Sequence, residues 1–106
     1  MTIERPTLDV YNFVSDPKNL PRWASGLSAA VKVRFVERNK FGVLDHFVAV
    51  GNGPEVYMPM RVFPNGEGTE VLITVFRQPG VSDEKFAEDT QWVRRDLEAL
   101  KELLEK

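Results

Sequence analysis

A chain of 106 residues with 42% hydrophobic residues, a net charge of −2 and no cysteine has the size of one domain and the apolar material for one core. That charge gives no global pull toward nucleic acid or anionic membrane, and the missing cysteine excludes disulfides, thiolate chemistry and cysteine-ligated metal. No apolar run reaches the ~20 residues of a membrane span and the N-terminus lacks a secretory apolar segment, so residues 1–106 are expected to form one cytoplasmic domain with no membrane span.

Thr2–Arg5 reads as a short edge strand, stopped by Pro6. Thr7 is placed to cap a helix whose Val10, Phe13 and Val14 share a face, with Asp9 favourable in its first turn. Asp16-Pro17 repeats the signal, an acidic cap followed by proline at the first helical position. Leu20 and Trp23 then share a face of a helix bounded by Pro21 and Gly26, too short to stand without docking.

Four strands are expected next, over Val31–Arg38, Val43–Val50, Val56–Val62 and Val71–Arg77. Asn52-Gly53 and Asn65-Gly66 are hairpin signals, and Asn39–Gly42 is a looser connection. Pro59 cannot donate to a ladder, which predicts a bulge or an unpaired point there. After Pro79-Gly80, Ser82 is the expected cap of a long helix with Asp83 and Glu84 in its first turn. Phe86, Val93, Leu97, Leu100 and Leu104 form its apolar stripe, widened by Trp92 and Leu103.

Treating the two Asn-Gly pairs as two-residue turns sorts the strand faces. Across Asn65-Gly66 Met60 then opposes Val71 and Met58 opposes Ile73, and across Asn52-Gly53 Met58 opposes Phe47 and Met60 opposes Asp45, so Val43, Asp45, Phe47, Val56, Met58, Met60, Val62, Val71, Ile73 and Val75 face the closing helix. Val31, Val33 and Phe35 join them only across an odd loop or a glycine bulge at Gly42. On this scheme Asp45 points into the apolar side and His46 points away. Leu44, Val48, Tyr57, Phe63, Leu72 and Phe76 form an outer face too apolar to be solvated.

Asp45 is the candidate catalytic group, because burial on an apolar face favours a protonated carboxyl suited to acid–base work; the alternative is a structural carboxylate, solvated near the open edge or bonded to a backbone amide or to Arg77. His46 is the only histidine and, as a strand neighbour of Asp45, points to the opposite face; no metal site is expected from it. Trp23, Phe35, Phe47, Met58, Met60, Ile73 and Trp92 are the candidate ligand-binding residues, an adaptable apolar lining or a filled core. Lys32, Arg34, Arg38 and Lys40 make a basic stripe read as protection of an edge strand, with no nucleic-acid partner expected.

The run VYNFVSDPKNLPRWASGL, with the later GVLDH, VYMPMRV, NGEGTEV and the closing DLEALKELLE, resembles small bacterial members of the START-like, Bet v 1-like superfamily of polyketide cyclases and lipid-transport proteins. The resemblance spans most of the chain. It implies an α+β helix-grip fold: an antiparallel sheet wrapped on a long C-terminal helix, in the order strand, two helices, four strands, helix. It also implies an apolar or lipid-like ligand between sheet and helix. With no phosphate loop or dinucleotide fingerprint in the sequence, no cofactor is expected. The alternatives are a cyclase or dehydratase using Asp45, with Tyr57 or Arg61 contributing, or a ligand-free dimerisation domain. The chain departs from the family in lacking one hairpin before Val31–Arg38, which leaves that strand as an open edge. A homodimer through that edge or the outer face is therefore expected.

Overall fold

The computed structural model describes residues 1–24 and 31–106. Gly26, expected to end the second helix, and Ala29-Ala30, expected to lead into the first long strand, lie outside the described residues. The chain runs β1 (Thr2–Ile3), α1 (Thr7–Ser15), a 3-10 turn (Pro17–Asn19), α2 (Leu20–Trp23), β2 (Val31–Phe35), β3 (His46–Val50), β4 (Val56–Met58), β5 (Met60–Asn65), β6 (Gly68–Ile73) and α3 (Asp83–Leu104). The fold is α+β, with two antiparallel three-stranded sheets in the orders β1-β6-β5 and β2-β3-β4. Among the described residues, no helix is long and apolar enough to cross a membrane.

The helix caps follow local chemistry, with one shift. Asp16 accepts from the Lys18 amide at 3.0 Å with Pro17 behind it, and Ser82 accepts from the Lys85 amide at 3.1 Å. Thr7, however, is the first helical residue and Pro6 holds the cap position. The Thr7 hydroxyl instead lies 3.1 Å from that of Thr69, which donates to the Arg5 carbonyl at 2.7 Å. A tertiary partner on β6 thus takes the side chain that local propensity assigns to the cap.

Pro59 splits one expected strand into β4 and β5, and each piece joins a different sheet. The pieces still share one line of pairing. The register that sets His46 opposite Met58 also sets Val43 opposite Arg61, so residues 42–45 run on from β3 beside β5 and join the sheets. The Leu44 amide donates to the Met60 carbonyl at 2.8 Å, and the Val62 amide to the Gly42 carbonyl at 2.9 Å. Gly42 has φ +72°, and a Cβ there would sit 2.0 Å from the Val62 carbonyl oxygen, so only glycine fits this approach.

The turns correct the expected registers. At the β5–β6 hairpin Asn65 pairs with Gly68, so Gly66-Glu67 are the central residues; positive φ at Gly66 alone matches a type II′ turn. Met60 therefore opposes Ile73 rather than Val71, a shift of two residues that leaves every side chain on its expected face. The β3–β4 connection turns over Val50–Gly53, with Gly51 at φ +58° and the Gly53 amide donating to Val50. Met58 then opposes His46 rather than Phe47, a slip of one residue that exchanges the faces of β3. Leu44, His46 and Val48 turn inward, and Val43, Asp45 and Phe47 turn outward. The β2–β3 pairing sets Phe35 opposite His46, so Val31, Val33 and Phe35 still lie on the Met58 side.

The core sits on one sheet. Ile3, Met60, Val62 and Val71 are fully or almost fully buried beneath Val10 and Val14 of α1, Trp23 of α2, and Leu100 and Leu104 of α3. At ~25 cal/mol per Å² of apolar surface, this cluster is the main source of stability. The C-terminal turns of α3 are tied down as well. Lys101 Nζ donates to the Thr2 carbonyl at 2.7 Å, Arg5 to the Leu104 carbonyl at 2.9 Å, and the Glu4 amide to the Glu105 carboxylate at 2.7 Å. The inner face of β2-β3-β4 is less covered: Val31, Val33, Val48 and Met58 are half-buried and Val50 is exposed.

Candidate functional site

An open groove of about 500 Å³ runs between the middle of α3, residues 90–98, and the end of β6. Its apolar lining comes from Ile73 and Val75 on the sheet side and Val93 and Leu97 on the helix. Thr90, Arg94 and Glu98 form a polar rim along α3, and Met1 closes one end. Helix geometry explains the arrangement. Val93 and Leu97 belong to the apolar stripe, while residues 90, 94 and 98 recur at four-residue spacing on the adjoining face. The groove exists because α3 is clamped at its C-terminal end, where Leu100 is fully buried, whereas Phe86, Val93 and Leu97 stay half-buried.

Other arginines on the molecule are engaged, as in Arg5 with Asp9, Arg34 with Glu55, Arg61 with Asp45 and Arg77 with Asp83. The Arg94 side chain has no such partner among the described residues. The rim thus offers a guanidinium beside an apolar floor.

The expected ligand-binding residues are dispersed. Ile73 lines the groove. Trp23 and Met60 are in the core, at 4% and 0% exposure. Phe35 and Met58 are half-buried on the inner face of the other sheet, where the Phe35 ring lies 5.0 Å from that of His46. Phe47 is on the outer face, stacked on Tyr57 at 5.3 Å with the Arg34 guanidinium 4.4 Å above it. Trp92 is exposed beside Arg95. Val75, Val93, Thr90 and Arg94 were not singled out as ligand residues. The four-residue polar seam beside the stripe is the sequence signal that marks the last two. The Trp23 indole N–H is buried with no acceptor among the described residues, a cost of about 1–3 kcal/mol that its packing offsets.

Asp45 occupies a different environment from the expected one. The register places it opposite Pro59, where the ladder lacks a donor, and its carboxylate fills the gap. It accepts from the Met60 amide at 2.9 Å, from Arg61 Nε and Nη2 at 3.0 and 2.8 Å, and from the Tyr57 hydroxyl in a short contact. These bonds occupy the lone-pair directions of both oxygens. The Arg61 guanidinium, followed by the Tyr57 and Met60 donors, holds the carboxyl well below the usual carboxylate range despite its burial. The expected protonated carboxyl is therefore corrected to a charged, saturated one. It pins the joint between the sheets and has no free oxygen for proton transfer.

His46 is likewise corrected, from an outward to a buried inward position at 7% exposure. Its Nδ1 lies 3.0 Å from the Leu44 carbonyl, and burial pushes its pKa below the ordinary value. The basic stripe is dispersed too, since Arg38 reaches back to Ser15 and Asn12 and stacks over Tyr11. Among the described residues, no group of acidic or histidine side chains is placed to hold a metal ion. No family model matches the chain, and no curated protein matches it.

Proposed function

We propose that this chain binds a small apolar or lipid-like molecule in the groove between α3 and β6. On this reading its two joined sheets and α3 form a START-like, Bet v 1-like helix grip shortened by one hairpin. The observation that carries the proposal is the groove itself. Its volume of about 500 Å³ falls in the ~300–1,000 Å³ range of small-molecule sites, and its floor is apolar with polar groups confined to one rim. Ile73, Val75, Val93 and Leu97 would bury an aliphatic chain at roughly 0.8 kcal/mol per CH₂. The sequence resemblance to lipid-binding proteins points the same way. The cyclase or dehydratase alternative draws no support from Asp45, whose carboxylate is fully engaged in the sheet joint.

Fluorescence titration with cis-parinaric acid tests the reading. Saturable binding at one site per chain is expected. Val93→Lys should weaken it about tenfold or more while leaving the far-ultraviolet circular dichroism unchanged. Asp45→Asn, if folded, should retain it. Absence of saturable binding by the wild type would remove the proposal.

A further inference from the structure

The polar rim of the groove has a second hollow on its far side. An open depression of about 560 Å³ lies against α3 there and shares Thr90, Arg94 and Glu98 with the groove. It adds Gln91 and Arg95, each one residue on from a rim residue and so about 100° further around the helix. One side of the rim is therefore an apolar floor and the other is polar. An occupant with an aliphatic tail and a charged head matches the two together.

The side chains along the rim set the sign of that head. Two arginines, Arg94 and Arg95, against one acid, Glu98, leave the two hollows with a net positive charge. The Met1 ammonium at the end of the groove is neutralised by Glu70 at 2.8 Å. The Thr90 hydroxyl already donates to the Ala87 carbonyl at 2.9 Å. Arg95 stands over the Trp92 ring at 5.0 Å and borders only the second depression. Arg94 borders both hollows and, among the described residues, makes no ion pair or hydrogen bond, even with Glu98 four residues on. A guanidinium without a partner is a planar fork of N–H donors, and a carboxylate can take two parallel bonds from it. A phosphate monoester, at about −2 near neutral pH, would bring surplus negative charge beside Glu98.

Resting on the reading of the groove as the site of an apolar molecule, we infer that its ligand is a long-chain carboxylate. The tail lies on Val93 and Leu97, and the Arg94 guanidinium binds the carboxylate.

Fluorescence titration with cis-parinaric acid and with its uncharged methyl ester, below their micellar concentrations and at neutral pH, separates head from tail. The acid should bind about tenfold or more tightly than the ester. Arg94→Gln should bring the acid down to the affinity of the ester and leave the ester unchanged. Arg95→Gln removes the same charge one residue away and should weaken the acid less than about threefold. Palmitate should displace the probe at lower concentration than hexadecyl phosphate does. Equal wild-type affinities for acid and ester, with Val93→Lys weakening both, would overturn the carboxylate and leave the apolar groove standing. Failure of both probes to bind would remove the groove reading and the carboxylate with it. Equal losses in the Arg94 and Arg95 variants, or stronger displacement by hexadecyl phosphate, would overturn the assignment as well.

Discussion

The two sheets share one register line, yet only one of them is closed. On β1-β6-β5 the inward residues Ile3, Met60, Val62 and Val71 are 0–2% exposed beneath α1 and the last turns of α3. On β2-β3-β4 the inward Val31, Val33, Val48 and Met58 are half-buried, and the N-terminal half of α3 leaves Phe86 and Val93 half-buried with Trp92 exposed. Equivalent apolar patterns therefore meet different surroundings. The difference teaches that the closed sheet holds the fold, while the half-buried middle of α3, residues 90–98, leaves room for the groove at the end of β6.

The sharpest way to break that comparison uses two methionines separated only by Pro59. Met60→Ala, in the closed sheet, should cost about 2–5 kcal/mol in urea denaturation, and Leu100→Ala a similar amount. Met58→Ala and Val93→Ala should each cost less than about 1.5 kcal/mol, because their sites are half-solvated. Equal losses at Met60 and Met58 would show that the two sheets are covered alike in solution.

Asp45 sits at the joint, and Asp45→Asn should cost an intermediate amount, about 1–3 kcal/mol. The figure stays below that of a fully buried pair because the Arg61 side chain is 47% exposed. The pH dependence has a definite sign. Asp45 and His46 both have folded pKa values below their ordinary ones, so the stability they confer is complete above those ordinary values and is lost as pH falls. Stability should begin to drop below the ordinary histidine value of 6.5, and drop again below the ordinary aspartate value of 3.8. Denaturant midpoints measured across pH should lose the first decline in His46→Phe and the second in Asp45→Asn. A profile unchanged by either substitution would detach these residues from the joint.

The smallest expected effect is on the outer face. Leu72→Ala should change monomer stability by no more than about 0.5 kcal/mol, since the side chain is 46% exposed and lies away from the core. Melting at concentrations low enough to exclude association checks this. A larger loss would mean that the outer face contributes to the fold of the single chain.

Much of the fold was legible in the chain. The caps at Asp16 and Ser82, the break at Pro59 and the α3 stripe are local signals with local causes, and they set the elements and their order. The inward set Met60, Val62, Val71 and Ile73 was legible too, because a two-residue error in the Asn65-Gly66 turn preserves side-chain parity. The β3 face was not. Gly51 takes the left-handed position, and the longer connection through Pro54 moves the register by one residue. That slip sends Asp45 and Phe47 outward and brings His46 in. The β2–β3 parity differs from the expected scheme in the same sense, so Val31, Val33 and Phe35 returned to the inner side.

By itself, then, the sequence determined an α+β arrangement in which paired strands meet a long amphipathic helix, because propensity, caps and apolar period act over a few residues. Only the tertiary structure decided which half of α3 is clamped, where the groove opens, and whether Asp45 is a free acid or a saturated joint. Those outcomes depend on pairing parity and on contacts between residues far apart in the chain. Asp45 shows the reason most directly: its charge state is set by Arg61, Tyr57 and the Met60 amide, all brought to it by the strand beyond the turn.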